Sequence, residues 1–167
     1  WWSISTDGGR LLGNALLEAA TAVGCTGSVA SYCTPGTTTN GCLATMSSSG
    51  TPSVAASSGF TLACANVEGQ KSGLVFYGNS GPNNVVWGVG STSFLCIKAP
   101  TQRTPMQSSG GTSNLCDGTL ALDWNAFIAT NTGALGNPLL AGQHVFAQAW
   151  FRDPSAPKTT NLSDALE

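Results

Sequence analysis

Six cysteines are the residues whose chemistry this sequence indicates most directly. An even number of cysteines without Cys-x-x-Cys or Cys/His clusters favours disulfide bonds over a metal site. One candidate pair encloses a polar loop with turn residues at both ends, and a second flanks a longer loop rich in Ser, Gly and Thr. Among the several connectivities that six cysteines allow, we favour Cys33–Cys42, Cys96–Cys116 and Cys25–Cys64.

Catalysis has few candidate residues here. The single histidine, His144, lies on one face of a predicted strand as a surface or edge residue, and no Gly-x-Ser-x-Gly motif supplies a nucleophile. The eight acidic residues are scattered: Asp117 and Asp123 suit a turn and a solvent-facing cap, and Arg152-Asp153 suits an ion pair or turn. A glycosidase needs two facing carboxylates, and a calcium loop needs clustered ones. We therefore predict no enzyme, no catalytic residue, no cofactor and no metal site.

The chain carries very little charge, with 8% charged residues and a formal net charge of −2. Such a surface cannot neutralise phosphates, so nucleic acid is not an expected partner. No apolar run reaches the length of a membrane span. Weak repulsion between copies favours association. Because disulfides persist in oxidising compartments, the predicted location is extracellular or at the cell surface.

The chain divides into an N-terminal arm, residues 1–24, and a disulfide-stapled β domain, residues 25–167. In the arm, residues 1–9 have the alternation of a short strand, and residues 10–23 carry apolar side chains at helical spacing. Short apolar runs separated by turn residues then predict an all-β antiparallel sandwich, jelly-roll-like. A helical turn begins at Trp124. The predicted strands are 42–48, 60–67, 74–77, 85–89, 94–98, 119–122, 144–151 and 164–167.

Several segments within residues 33–167 match a known pattern: Gly-Leu-Val-Phe-Tyr-Gly at 73–78, Leu-Cys-Ile-Lys at 95–98, Leu-Asp-Trp-Asn at 122–125 and Trp-Phe-Arg-Asp-Pro at 150–154. This part of the chain resembles a C-terminal domain of large secreted bacterial proteins, mostly uncharacterised. The resemblance implies an exported, β-rich module at the bacterial surface and assigns no catalytic residue.

Aromatic residues separate two hypotheses of function. The five tryptophans, together with Tyr32 and Tyr77, could present a platform for sugar rings. The apolar neighbours of Trp87, Trp124 and Trp150 favour core or half-buried positions for these three. The terminal pair Trp1-Trp2 is different, because an exposed aromatic strand is a liability unless it folds back or is added to a neighbouring molecule. Residues 10–23 likewise either cover their own sheet or pack between subunits. The predicted subunit-interface residues are Trp1, Trp2, Ile4, Leu12 and Leu16.

Glycans fit either hypothesis. Asn161 begins an Asn-Leu-Ser sequon that the sequence places in a loop, and Thr37, Thr38 and Thr39 are candidate O-linked sites. The predicted function is an extracellular structural protein, the subunit of a self-assembling filament, tube or surface coat whose partners are copies of itself. The alternative is a carbohydrate-binding or adhesion module of a secreted protein.

Overall fold

The computed structural model of the protein describes residues 27–167. Several predictions therefore lie outside the described residues: the arm at 1–24 with its strand and helix, and the interface residues Trp1, Trp2, Ile4, Leu12 and Leu16. Within residues 27–167 the all-β antiparallel sandwich is confirmed. The strands are β1 Ser31–Tyr32, β2 Thr45–Gly50, β3 Phe60–Val67, β4 Ser72–Gly78, β5 Pro82–Val86, β6 Phe94–Ile97, β7 Thr101–Arg103, β8 Gln107–Ser108, β9 Gly118–Asp123, β10 Phe146–Arg152 and β11 Thr160–Leu166.

The strands form three antiparallel layers. The central sheet has the order β1-β11-β10-β4-β7, with β8 also pairing with β4. A second sheet, β2-β3-β9, covers one face of the central sheet, and the β5-β6 hairpin covers the other. The sequence predicts a two-layered sandwich, and the hairpin adds a third, two-stranded layer.

Both faces of the central sheet are buried, and the alternation along β10 shows why. Ala147, Ala149 and Phe151 pack in the main core with the second sheet, whereas Phe146 and Trp150 contact the hairpin side. Successive side chains of a strand point to opposite faces, so one apolar strand serves both cores. This burial explains why β10 is apolar on both sides instead of alternating between apolar and polar residues.

The predicted helical turn at Trp124 is confirmed as helix α1, Trp124–Thr130. Asp123 caps it, because its carboxylate accepts a hydrogen bond from the backbone N–H of Ala126 at 2.9 Å and another from Gly59 at 2.9 Å. These donated bonds hold the pKa of Asp123 below its ordinary value. The buried aromatic residues Trp124 and Phe127 pack edge-on against Tyr77 of β4.

Two of the three predicted disulfide pairings, Cys33–Cys42 and Cys96–Cys116, are wrong. The bonds are Cys33–Cys96 and Cys42–Cys116, with Cα–Cα separations of 6.2 and 5.3 Å. The segment from 33 to 42 runs from the edge of the central sheet to the second sheet, so each of its cysteines meets a different layer. Cys33 is bonded to strand β6, and Cys42 is bonded to the loop before β9.

Cys64 is buried in the main core and is bonded to no other cysteine among residues 27–167. Burial is the main cause that raises the pKa of this thiol to about 12, and the nearby charge of Asp164 adds to it. Its predicted partner, Cys25, lies outside the described residues.

Candidate interaction surface

The β5-β6 hairpin is attached to the central sheet by side chains that act as strand partners. Gln148 of β10 is fully buried; its Oε1 accepts from the backbone N–H of Cys96 at 3.1 Å, and its Nε2 donates to the carbonyl of Phe94 at 2.9 Å. The hydroxyl of Tyr32 donates to the carbonyl of Cys96 at 2.9 Å. The disulfide from Cys33 fixes the same strand covalently. The inner edge of β6 is therefore closed.

The outer edge of the hairpin, along β5, is open. The N–H of Trp87 donates to the carbonyl of Ser93, and Val86 pairs in register with Phe94. Hydrogen-bonded and non-hydrogen-bonded pairs alternate along an antiparallel ladder. The backbone N–H and C=O of Val86 therefore point away from β6. Among the described residues, β5 pairs with β6 alone.

Apolar side chains surround this open edge. Val85 is 54% exposed, Val86 is 49% exposed and Val89 is fully exposed. Contiguous exposed apolar residues on a strand edge mark either a contact surface or an aggregation hazard. We call β5 together with Val89 the hairpin edge.

On two other sheet edges, along β9 and β2, polar groups from outside the sheet bond to the strand backbone. The side chain of Gln107 exchanges two hydrogen bonds, each 3.0 Å, with the backbone of Ala121 in β9, and the carbonyl of Ser109 accepts from the N–H of Thr119. On β2, the carboxylate of Asp164 accepts from the N–H of Met46 at 2.6 Å. These bonds replace the partners that a neighbouring strand would otherwise supply.

The tryptophans predicted as core or half-buried residues are confirmed in those positions. Trp124 lies in the main core, and Trp87 and Trp150 are half-buried on the hairpin side. The indole N–H of Trp87 donates to the hydroxyl of Thr160, and the ammonium of Lys158 lies 4.1 Å from its ring centroid.

The residues considered for catalysis are apart from one another. His144 is exposed, as predicted, and its Nδ1 lies 2.6 Å from Oε1 of Glu167. Asp117 accepts from the N–H of Thr112 in a turn, which lowers its pKa, and Asp123 caps α1. Residues 27–167 contain no group of three or more His, Cys, Asp or Glu side chains that could hold a metal ion.

Asp153 and Asn161 form a buried polar cluster that the sequence does not reveal. The carboxylate of Asp153 accepts from the N–H of Thr39 at 2.9 Å and from its hydroxyl at 2.6 Å. Asn161 donates to the carbonyl of Thr37 at 2.9 Å and to Asp153 at 3.4 Å. The cluster joins the loop after β1 to the end of β10 and the start of β11.

Two of the predicted glycosylation sites, Asn161 and Thr38, are buried in the structure. Asn161 is 2% exposed within β11, and its amide nitrogen already donates two hydrogen bonds, so a glycan there would break the cluster. Thr38 is 4% exposed, and its hydroxyl accepts from the N–H of Cys42. Thr39 is exposed, although its hydroxyl donates to Asp153. Thr37 is exposed as well.

No protein-family model, no curated protein and no solved structure matches this chain. None of the helices in residues 27–167 has the length and apolar character needed to cross a bilayer. Residues 27–167 form a β-rich fold with antiparallel sheets and two disulfide bonds. The resemblance to a domain of secreted bacterial proteins stays a prediction.

Proposed function

We propose that this protein is an extracellular structural subunit that assembles with copies of itself into a filament, tube or surface coat. Two disulfide bonds support an oxidising location. The hairpin edge is the single observation that carries the proposal, because it combines backbone groups that have no partner among residues 27–167 with three exposed valines.

The occupant that we propose for the hairpin edge is the N-terminal strand of a second copy. Trp2 and Ile4 alternate with polar residues, as a strand that pairs with β5 and buries one apolar face would require. Little charge opposes the approach of two such molecules. Each copy would give one strand and receive one, so the contact is head-to-tail and continues into a polymer unless it closes into a ring.

The test compares two variants with matched exposure. Val86→Lys places a charge on the open edge, whereas Leu43→Lys makes the same change of charge on another residue that is 49% exposed. Sedimentation velocity over a range of concentrations should show wild-type protein and Leu43→Lys assembling, with Val86→Lys monomeric. A wild-type protein that stays monomeric at high concentration would reject the proposal, as would assembly of Val86→Lys.

A mixing experiment tests the direction of the contact. A protein lacking residues 1–9 keeps the hairpin edge but has no strand to give, and Val86→Lys has the strand without a competent edge. Each alone should be folded and monomeric. Their mixture should form a one-to-one dimer, because one head-to-tail contact can still form. If the mixture stays monomeric, the N-terminal strand is not the occupant of this edge.

A further inference from the structure

A groove lies between helix α1 and the loop that joins β2 to β3, and no residue of the β5-β6 hairpin lines it. Its cavity measures about 240 Å³. The apolar lining comes from Val54, Ala55 and Ala56 of the loop and from Ile128 and Ala129 of the helix. Val54 is 57% exposed, so the apolar lining is open to solvent.

The groove is held open by bonds that do not depend on an occupant. The buried side chain of Asn125 accepts from the N–H of Ser53 and donates to the carbonyls of Thr51 and Ser58. The hydroxyl of Ser53 accepts from the N–H groups of Ala55 and Ala56. The cavity is smaller than the roughly 300 Å³ at which small-molecule pockets begin, so its size suits a few side chains.

The chain enters the described region directly beside this groove. A Cβ atom added to Gly27 would lie 2.8 Å from Cγ of Pro52, so Gly27 is in contact with the proline that precedes the loop lining. Val23 is four residues earlier. Four extended residues span at most about 14 Å. The groove is therefore within reach of the end of the segment at 10–23.

We infer that the apolar side of residues 19–23, with Ala19, Ala20 and Val23, packs into this groove of the same molecule. The predicted helix needs cover for its apolar stripe. Small side chains suit a cavity of this size, and the short tether to Gly27 places them beside it. This contact anchors the base of the arm, and residues 1–9 extend from that anchor. The inference does not depend on self-assembly.

The test uses hydrogen exchange of the full chain in the Val86→Lys background, in which self-assembly should be absent. Ala129→Arg fills the groove, whereas Thr130→Arg adds the same charge to the same helix at an exposed residue outside the lining. Ala129→Arg should raise the exchange rate of amides 19–24 by about tenfold or more. Thr130→Arg should leave that rate unchanged, and amides of β10 should stay protected in both.

A reciprocal pair of variants tests the other side of the contact. Val23→Asp should have the effect of Ala129→Arg, and Thr21→Asp, on the polar side of the predicted helix, should not. Amides 19–24 that exchange freely in the parent protein, or are equally protected with Ala129→Arg, would overturn the inference. Protection that disappears on dilution would also overturn it, because it would show that another copy fills the groove. Failure of the assembly proposal alone would leave this protection intact.

Discussion

Replacing Gln148 by Leu should be among the most damaging single changes in this protein. Leucine has a similar size but removes three hydrogen bonds, to the N–H of Cys96 and to the carbonyls of Phe94 and Ser163. The site is 0% exposed, so water cannot replace them. An orphaned buried polar group costs about 1 to 3 kcal/mol, so the three together predict a loss of about 3 to 9 kcal/mol.

Gln107→Leu is the matched control for this prediction. Gln107 also uses both ends of its amide, against the backbone of Ala121, but it is only half-buried. Solvent can take over its bonds, and the expected loss is about 0.5 to 1.5 kcal/mol for each. Urea unfolding of the two variants gives the comparison, and hydrogen exchange at the amide of Cys96 reports on the hairpin. If Gln148→Leu lowers the free energy of unfolding no more than Gln107→Leu does, the hydrogen bonds from Gln148 to β6 do not contribute the expected stability.

The two remaining predictions concern the covalent framework and one buried acid. Replacing both Cys42 and Cys116 by serine removes a disulfide bond with a sequence separation of 74. Urea unfolding should show that the free energy of unfolding falls by about 4 kcal/mol, the chain-entropy value for such a loop. An unchanged urea midpoint would contradict this prediction. Burial raises the pKa of Asp164 above 3.8, despite the hydrogen bond that its carboxylate accepts from Met46. The favourable contribution of this group to folding stability is therefore present at low pH and is lost as the pH rises through the folded pKa. Asp164→Asn should therefore be at least as stable as wild type at pH 7 and lose that advantage near pH 3, and the reverse order would refute the sign.

Local patterns predict the strands of this protein well where apolar residues recur regularly. Strand β3 runs over Phe60–Val67 as predicted, and most other strands agree within a few residues. The hairpin is less accurate: residues 87–89 continue the apolar run, but the left-handed Gly90, with φ of 77°, lies in a turn, and β5 ends at Val86. Strand β11 begins at Thr160 because buried partners satisfy its polar residues, which no local pattern reveals.

Contacts between layers could not be predicted from the sequence. The disulfides join cysteines that are 63 and 74 residues apart, whereas loop composition favours near neighbours. Residues 161–163 have the Asn-Leu-Ser sequence of a sequon, yet the fold buries Asn161 against Asp153. In the sequence, Gln148 is recognisable only as a single amide side chain within an apolar strand. Its hydrogen-bond partners on β6 can be identified only from the three-dimensional structure.

Low charge alone does not direct association, because every surface of a nearly uncharged protein is equally permissive. The direction of association depends on which sheet edges can accept another strand. Gln107 and Ser109 satisfy the backbone of β9, and Gln148 and Tyr32 satisfy that of β6. In the proposed contact, an added strand on β5 would both complete its backbone hydrogen bonds and cover its valines. In the proposed assembly, each copy would give one N-terminal strand and receive one at β5, so growth by this contact would add subunits in line, without branching.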